Sequence, residues 1–314
     1  MTKPSDDFLW CERYRPSTVD DCILPTAIKN EIAKFVESGQ IPHFLFSGSA
    51  GVGKTSVSKA IVEELGADLL FINASNESGV DTIRNKVVQF ASTASFDGNL
   101  KVVLLDECDR ISAAGQDALK AIMEEFSKNT RFILTCNNKN RVIDPLQSRC
   151  TSIDFKITDT EKKSLMAQML KRSASILKAE QIEFDPNSLV VLVKKYFPDF
   201  RRTINALQKY SVHGSIDSGV LIADATSYDE LTLSLKAKKF GDVRKWIAKN
   251  TDMDSATLFR YFFDNVSVLF EGKSIPDVIL ILSEYQKSAA IVVDQEINNI
   301  AAMIEIMSVA EWKQ

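Results

Sequence analysis

A chain of 314 residues is too long for one compact hydrophobic core and comfortable for two or three small domains. Its 45% hydrophobic and 25% charged residues are those of a globular protein and exclude wholesale disorder. A formal net charge of -4 argues against a surface that binds duplex nucleic acid everywhere, so any such contact must use a local basic patch.

No apolar run reaches membrane-spanning length, and the start, MTKPSDDFLW, lacks the apolar stretch of a signal peptide. The chain therefore reads as soluble and cytoplasmic, with no membrane partner. Its five cysteines are scattered without a CxxC pair, which predicts reduced thiols and no zinc site or disulfide frame. Two histidines, His43 and His213, exclude three-His and HExxH metal sites. His43 opens a strand and His213 precedes a glycine turn, so both read as structural.

In chain order, HFLFS (43–47), DLLFIN (68–73), KVVLL (101–105), RFILTC (131–136) and SIDF (152–155) read as buried strands. Helical periodicity lies between them. Val57, Ala60, Ile61 and Leu65 share one face, as do Val80, Ile83, Val87 and Ala91, and then Ala118, Ile122 and Phe126. Strand–helix alternation predicts an α/β domain with a parallel sheet covered on both faces. After about Lys156 the strand signal stops, and Asp185-Pro186 and Pro198-Asp199 mark turns between helices. A second helical stretch runs from about Tyr228, and its last helix carries Ile297, Ile300, Ala301 and Ile304 on one stripe.

The strongest local signal is GSAGVGKT (48–55), placed between a strand and a helix. Gly48, Gly51 and Gly53 let the backbone of Ser49, Ala50, Val52 and Ser56 curl so that N–H groups face phosphate oxygens. Lys54 would reach the β- and γ-phosphates of ATP, and Thr55 would ligate Mg²⁺. VVLLDECD (102–109) brings two carboxylates to the C-terminal end of a strand, where open α/β sheets bind ligands. Asp106 would hold Mg²⁺ and Glu107 would act as the base for the attacking water. The Asp-Glu pair favours hydrolysis over transfer.

RYRPSTVDD (13–21), the phosphate loop, NASNESGVDTIR (73–84), LLDECDR, ILTCNN and PLQSRC occur in the order seen in replication clamp-loader ATPase subunits. The chain resembles the small-subunit type of replication factor C. It is more similar still to the large, ATP-hydrolysing subunit of T-even-type phage clamp loaders, which would place it in a host bacterial cytoplasm. The resemblance is dense over residues 10–210. It implies an AAA+ nucleotide-binding domain (1–157), a helical lid (158–226) and a helical oligomerisation collar (227–314). It implies that Asn137 is the sensor that positions the hydrolytic water, with Asn138 the adjacent alternative. Arg201 matches a lid arginine toward the γ-phosphate, with Arg202 as its rival. Asn73 matches a regulatory residue that holds the catalytic Glu. Arg13, Tyr14 and Pro16 match a segment against the adenine, which Val19 and Ile23 would wall.

Arg149, in DPLQSRC (144–150), precedes the last strand at the edge of the first domain. The chain already has Lys54, Mg²⁺ and a lid arginine for its own nucleotide. An arginine supplied in trans stabilises transition-state charge in phosphoryl transfer, and the resemblance implies this finger role. The alternative is a structural pair with Asp144 or Asp154. The implied partners are a sliding clamp, the phosphate backbone of primer-template DNA, and other loader subunits in a hetero-oligomeric ring that includes several copies of this chain. Arg84, Lys86 and Arg110 are the candidate DNA contacts, and Ser95 and Phe96 the candidate clamp tip. Phe90 could serve either that tip or the core. Another DNA-linked AAA+ ATPase, of branch-migration helicase or initiator type, is the competing enzyme reading. A nucleotide-bound scaffold is the non-enzymatic one.

Overall fold

Five short apolar runs pair into one parallel sheet: β1 (Phe44–Ser47), β2 (Asp68–Asn73), β3 (Lys101–Asp106), β4 (Thr130–Cys136) and β5 (Thr151–Asp154). The strand order is β2-β3-β4-β1-β5. The computed structural model describes residues 8–76, 80–93, 98–212, 214–217, 228–250, 255–289 and 291–313. His213, Ser95 and Phe96 lie outside them. Parallel strands need crossovers, and helices supply them here. A short α1 (Trp10–Arg13) and α2 (Thr26–Glu37) precede the sheet. They are followed by α3 (Lys54–Glu64), α4 (Val80–Ser92), α5 (Ala113–Glu125) and α6 (Asp144–Gln147).

Period-2 alternation divides the strands between two cores. Phe44, Phe46, Val102 and Leu104 face one way, onto Ile32, Val57 and Ile61. Leu45, Val103, Leu105, Phe132 and Leu134 face the other, onto Ile83, Val87, Leu119 and Ile122. Of the predicted helical faces, Val57, Ala60, Ile61 and Leu65 serve the first core, and Ile83, Val87, Ile122 and Phe126 the second. Phe90 packs half-buried against the second core, with the Lys101 ammonium 5.0 Å from its ring.

Two of the five strands depart from the buried expectation. β3 is buried throughout, but β2 alternates, with Leu69 and Phe71 exposed. In β5 only Ile153 is buried. Both are edge strands, covered less completely than the centre. The expected end of strand structure after Lys156 also needs amending. β6 (Glu183–Phe184) and β7 (Ser215–Ile216) form a two-residue parallel pair among α7 (Asp159–Ala179), α8 (Pro186–Tyr196) and α9 (Phe200–Ser211). The two predicted turns are helix starts. Asp185 caps α8, accepting from the Ser188 N–H at 2.8 Å, and Asp199 caps α9 through the Arg202 N–H at 2.8 Å.

By contacts the chain divides into two compact units, Met1–Ser218 and Gly219–Gln314. The second comprises α10 (228–236), α11 (Phe240–Lys249), α12 (Ser255–Asp264), α13 (Val266–Leu269), α14 (Ile275–Ala289) and α15 (Gln295–Val309). Its core gathers Phe259, Phe262, Phe270 and Val278 with Met303 and Ile306, so the aromatic run 258–270 largely serves this unit itself. The predicted stripe of α15 does so only in part, through the half-buried Ile300. Ile297 and Ile304 are exposed, and the buried face is Asn298, Asn299, Ala302, Met303 and Ile306. The helix has two apolar sides. On the inward side Asn298 donates to the Tyr285 carbonyl at 3.2 Å.

All five cysteines are free thiols. Among the described residues no helix is long and apolar enough to cross a membrane. His43, just before β1, accepts the Phe132 N–H at Nδ1 (3.1 Å), and burial pulls its pKa down from 6.5 to about 4. The folded state thus holds the imidazole neutral. The stability this contributes is complete above pH 6.5 and is lost as pH falls through 6.5 toward 4. The difference in unfolding free energy between wild type and His43→Gln is therefore expected to move against the wild type between pH 7 and pH 4.5. Urea titrations at each pH measure it.

Candidate active site

The strand order decides what meets at the C-terminal edge of the sheet. β4 lies between β1 and β3, and pairing Ser47 with Cys136 and Leu105 with Leu134 aligns the strand ends. The loop after β1, the acids after β3 and the asparagine after β4 therefore converge. They line one cavity, open to solvent.

In the phosphate loop, Gly51 and Gly53 have φ of 75° and 98°, values that L side chains avoid. Gly53 is the N-cap of α3, so the helix N-terminus points into the cavity. Gly51 has a second reason to be glycine: a Cβ there would lie 1.9 Å from Asp199 Oδ1. Its carbonyl accepts from the Phe200 N–H at 3.0 Å, so the loop rests on the start of α9. Ala50, Gly51, Gly53, Thr55 and Ser56 line the cavity. Gly48, Ser49 and Val52 do not; they line a shallow groove behind the loop, and the Val52 side chain is buried in the core. Gly48 and Ser49 contribute instead through carbonyls that accept from Lys54 Nζ, each at 2.7 Å.

Lys54 is buried, with Asn137 Oδ1 as its third acceptor at 3.0 Å. Burial pulls its pKa below the ordinary lysine value, opposed by the nearby Cys136, Asp106 and Asp109. Of the two adjacent asparagines, Asn137 is thus the one in the cavity. Asn138 turns away and caps the next turn by accepting from the Asn140 N–H.

Asp106 Oδ1 accepts from the Thr55 hydroxyl at 2.8 Å and from the Thr135 hydroxyl at 2.5 Å. Among the described residues no group of three or more His, Cys, Asp or Glu side chains could hold a metal alone. The Thr55–Asp106 pair does fit Mg²⁺, which takes hard oxygen donors and completes its shell with phosphate and water. Glu107 sits in the left-handed region at φ 57°, and its N–H donates to Thr135 Oγ1 at 3.1 Å. Its carboxylate Oε2 accepts from the Ser75 hydroxyl, while the Ser75 N–H donates to Asn73 Oδ1 at 2.8 Å. Asn73 therefore reaches Glu107 through Ser75. Neither Ser75 nor Thr135 was singled out from sequence. Each is a lone hydroxyl whose partner lies about thirty residues away, so no local pattern marks it.

At the far end of the cavity Tyr14, Arg15, Pro16 and Ile23 form the wall. Arg13 is not part of it, because its Nη1 donates to Glu180 Oε1 at 2.8 Å. Val19 is also absent, being buried in the core. Tyr14 donates to the same Glu180, and burial together with that carboxylate pushes its phenol up to about 12. Arg201 lines the cavity, while Arg202 is exposed outside it. Arg149 is not among the cavity residues. It pairs with neither Asp144 nor Asp154 but with Glu124 of α5, Nε to Oε1 at 2.7 Å. Arg84 and Lys86 are exposed on α4, and Arg110 is exposed in the turn before α5.

Two family models match. Residues 44–157 match the ATPase family associated with various cellular activities (AAA), and residues 161–222 match the sliding-clamp-loader large subunit, AAA+ ATPase lid domain. The sliding-clamp-loader large subunit of Enterobacteria phage T4 is 37% identical over 96% of both chains. That of Escherichia phage RB69 is 35% identical over the whole of both. The replication factor C small subunit of Saccharolobus solfataricus is 40% identical over 69% of this chain and 66% of its own. Among solved structures, a variant of Thermotoga maritima RuvB superposes with a TM-score of 0.55 at 16% identity, covering 67% of this chain and 71% of its own, a likeness of fold.

Thr135 ties Asp106 to Glu107, so Thr135→Val keeps the shape but leaves the Glu107 N–H without its acceptor. Urea unfolding is expected to show a loss of about 1–3 kcal/mol.

Proposed function

This chain belongs to the sliding-clamp-loader large-subunit family of AAA+ ATPases, and from that membership we propose that it opens a sliding clamp and places it on primer-template DNA as an ATP-hydrolysing subunit of a hetero-oligomeric ring. The observation that carries the hydrolytic reading is Glu107 beside Asp106, at the cavity edge that also holds Lys54 and the phosphate loop.

In this reading the loop N–H groups and the α3 N-terminus take the phosphates of ATP. Lys54 exchanges its carbonyl acceptors for phosphate oxygens. Thr55 and Asp106 would hold Mg²⁺, which would supply positive charge against the phosphate oxygens. Glu107 accepts a proton from the attacking water, and Asn137 fixes that water's place. Arg201 reaches the γ-phosphate from α9, while Tyr14 and Ile23 flank the base. Arg149 serves a neighbouring subunit's nucleotide, which its absence from this chain's own cavity supports.

The Ser75 hydroxyl occupies one oxygen of Glu107 and lowers its reach as a base. We read this as the resting state, with Asn73 holding Ser75 in position. Arg84, Lys86 and Arg110 meet the DNA backbone by charge and shape, without base readout. The exposed Ile297 and Ile304 of α15 suit a contact with other subunits in a collar.

Glu107→Gln is expected to retain ATP binding while losing steady-state turnover by at least about 100-fold. Phosphate release with clamp and a primer-template oligonucleotide measures this. A nucleotide-bound scaffold would be indifferent to the change. Ser75→Ala is expected to raise the rate without DNA and shrink the stimulation by DNA. An unchanged ratio would remove Ser75 from regulation.

A further inference from the structure

We propose that Glu124 is a positioning residue for Arg149: it holds the guanidinium in a fixed pose whose outer edge is free to meet a neighbouring subunit's nucleotide. The inference rests on the finger reading of Arg149 given above.

The geometry begins with a donor count. A guanidinium carries five N–H groups in one plane. In Arg149, Nε donates to Glu124 Oε1 at 2.7 Å, and Nη2 donates to the same oxygen. Nη1 donates to the Pro145 carbonyl at 2.6 Å. Three N–H groups are committed, leaving one on each terminal nitrogen. Each of these remaining N–H groups can donate to a phosphate oxygen. Glu124 and Pro145 thus restrain the group without consuming its whole donor set.

The mount is rigid on both sides. Arg149 follows α6, where Leu146 is fully buried and accepts from the Arg149 N–H at 3.2 Å. Glu124 lies in the last turn of α5. Near the start of α5 the buried Gln116 accepts from the Ile143 N–H at 2.8 Å and donates to the Arg141 carbonyl at 3.0 Å. α5 is thereby fastened to the segment that leads into α6. A carboxylate on one element and a guanidinium on the next are held at one separation.

The pair is poorly placed to serve stability. Both side chains are part-exposed, 32% for Arg149 and 53% for Glu124, and ion pairs of that exposure contribute little to folding. Its effect lies in order. An unrestrained arginine must give up several rotors when it meets a phosphate across an interface, whereas one already held loses less. The pair lies away from its own chain's nucleotide cavity, which neither residue lines.

The test is a double-mutant cycle in the complete loader, assembled with its clamp, primer-template DNA and ATP. Arg149→Ala is expected to lower kcat by about 10³-fold or more. Glu124→Gln is expected to lower kcat by roughly 10- to 100-fold through misplacement of the finger, with the KM for ATP and the melting temperature unchanged. In the Arg149→Ala background, Glu124→Gln is expected to have no further effect. A kcat that is unchanged or raised in Glu124→Gln would overturn the proposal, the raised rate identifying a contact that stores the finger away. An undiminished Glu124→Gln effect without Arg149 would overturn it too. A full rate in Arg149→Ala would sink the finger reading itself and this inference with it, which separates the two failures.

Discussion

The catalytic edge depends on β4 lying between β1 and β3. The Thr135 hydroxyl reaches Asp106 Oδ1 at 2.5 Å and accepts the Glu107 N–H only because β3 and β4 run parallel in the observed register. A one-residue slip would turn Thr135 to the opposite face and bring an apolar neighbour to the acids. The same insertion carries Asn137 to Lys54, whose own strand lies on the other side of β4. One hydroxyl thus fixes the Asp106 carboxylate and the Glu107 backbone. It also helps a non-glycine residue keep a left-handed conformation that costs energy wherever it is not over-determined.

Lys54 shows how a buried charge is tolerated at this edge. Isolated, it would be driven to neutrality. Two loop carbonyls and the Asn137 amide oxygen occupy its three donors, so burial lowers its pKa without leaving it unsatisfied. These acceptors are neutral, and a phosphate is a stronger partner for an ammonium than any of them. The loop is therefore folded around its own lysine in a way that an anion can displace. The Thr55–Asp106 bond is of the same kind, a placeholder between two groups that suit a cation.

What the sequence made legible was whatever is local. The loop and the acid pair are short contiguous motifs, and the alternation is built of short periodic runs; the structure gathers the loop and the acid pair at one edge of the sheet. Edge strands escaped, since DLLFIN and KVVLL have similar composition and only the sheet order makes β2 half exposed. The α15 stripe misled for a related reason. Periodicity finds the more apolar side, while packing buried the side that carries Asn298, Asn299, Ala302, Met303 and Ile306. Arg13 could not be told from Arg15 by spacing, because the difference is Glu180, far along the chain at the end of α7. Ser75 and Glu124 likewise gain meaning only from distant partners.

The contact between Gly51 and the start of α9 ties two of these local features into one mechanical element. The Phe200 N–H bonds the Gly51 carbonyl, and Asp199 sits where a Gly51 side chain would be. Arg201 follows on the same helix and lines the cavity. A backbone hydrogen bond thus joins the phosphate loop to the start of α9, and α9 carries Arg201, which lines the cavity. Glu180, which holds Arg13 and Tyr14, adds a second tie between α7 and the wall at the other end of the cavity. Both ends of a bound nucleotide would therefore touch residues fastened to the helices that follow the sheet. A change in the phosphates, at one end only, would alter one tie and leave the other in place.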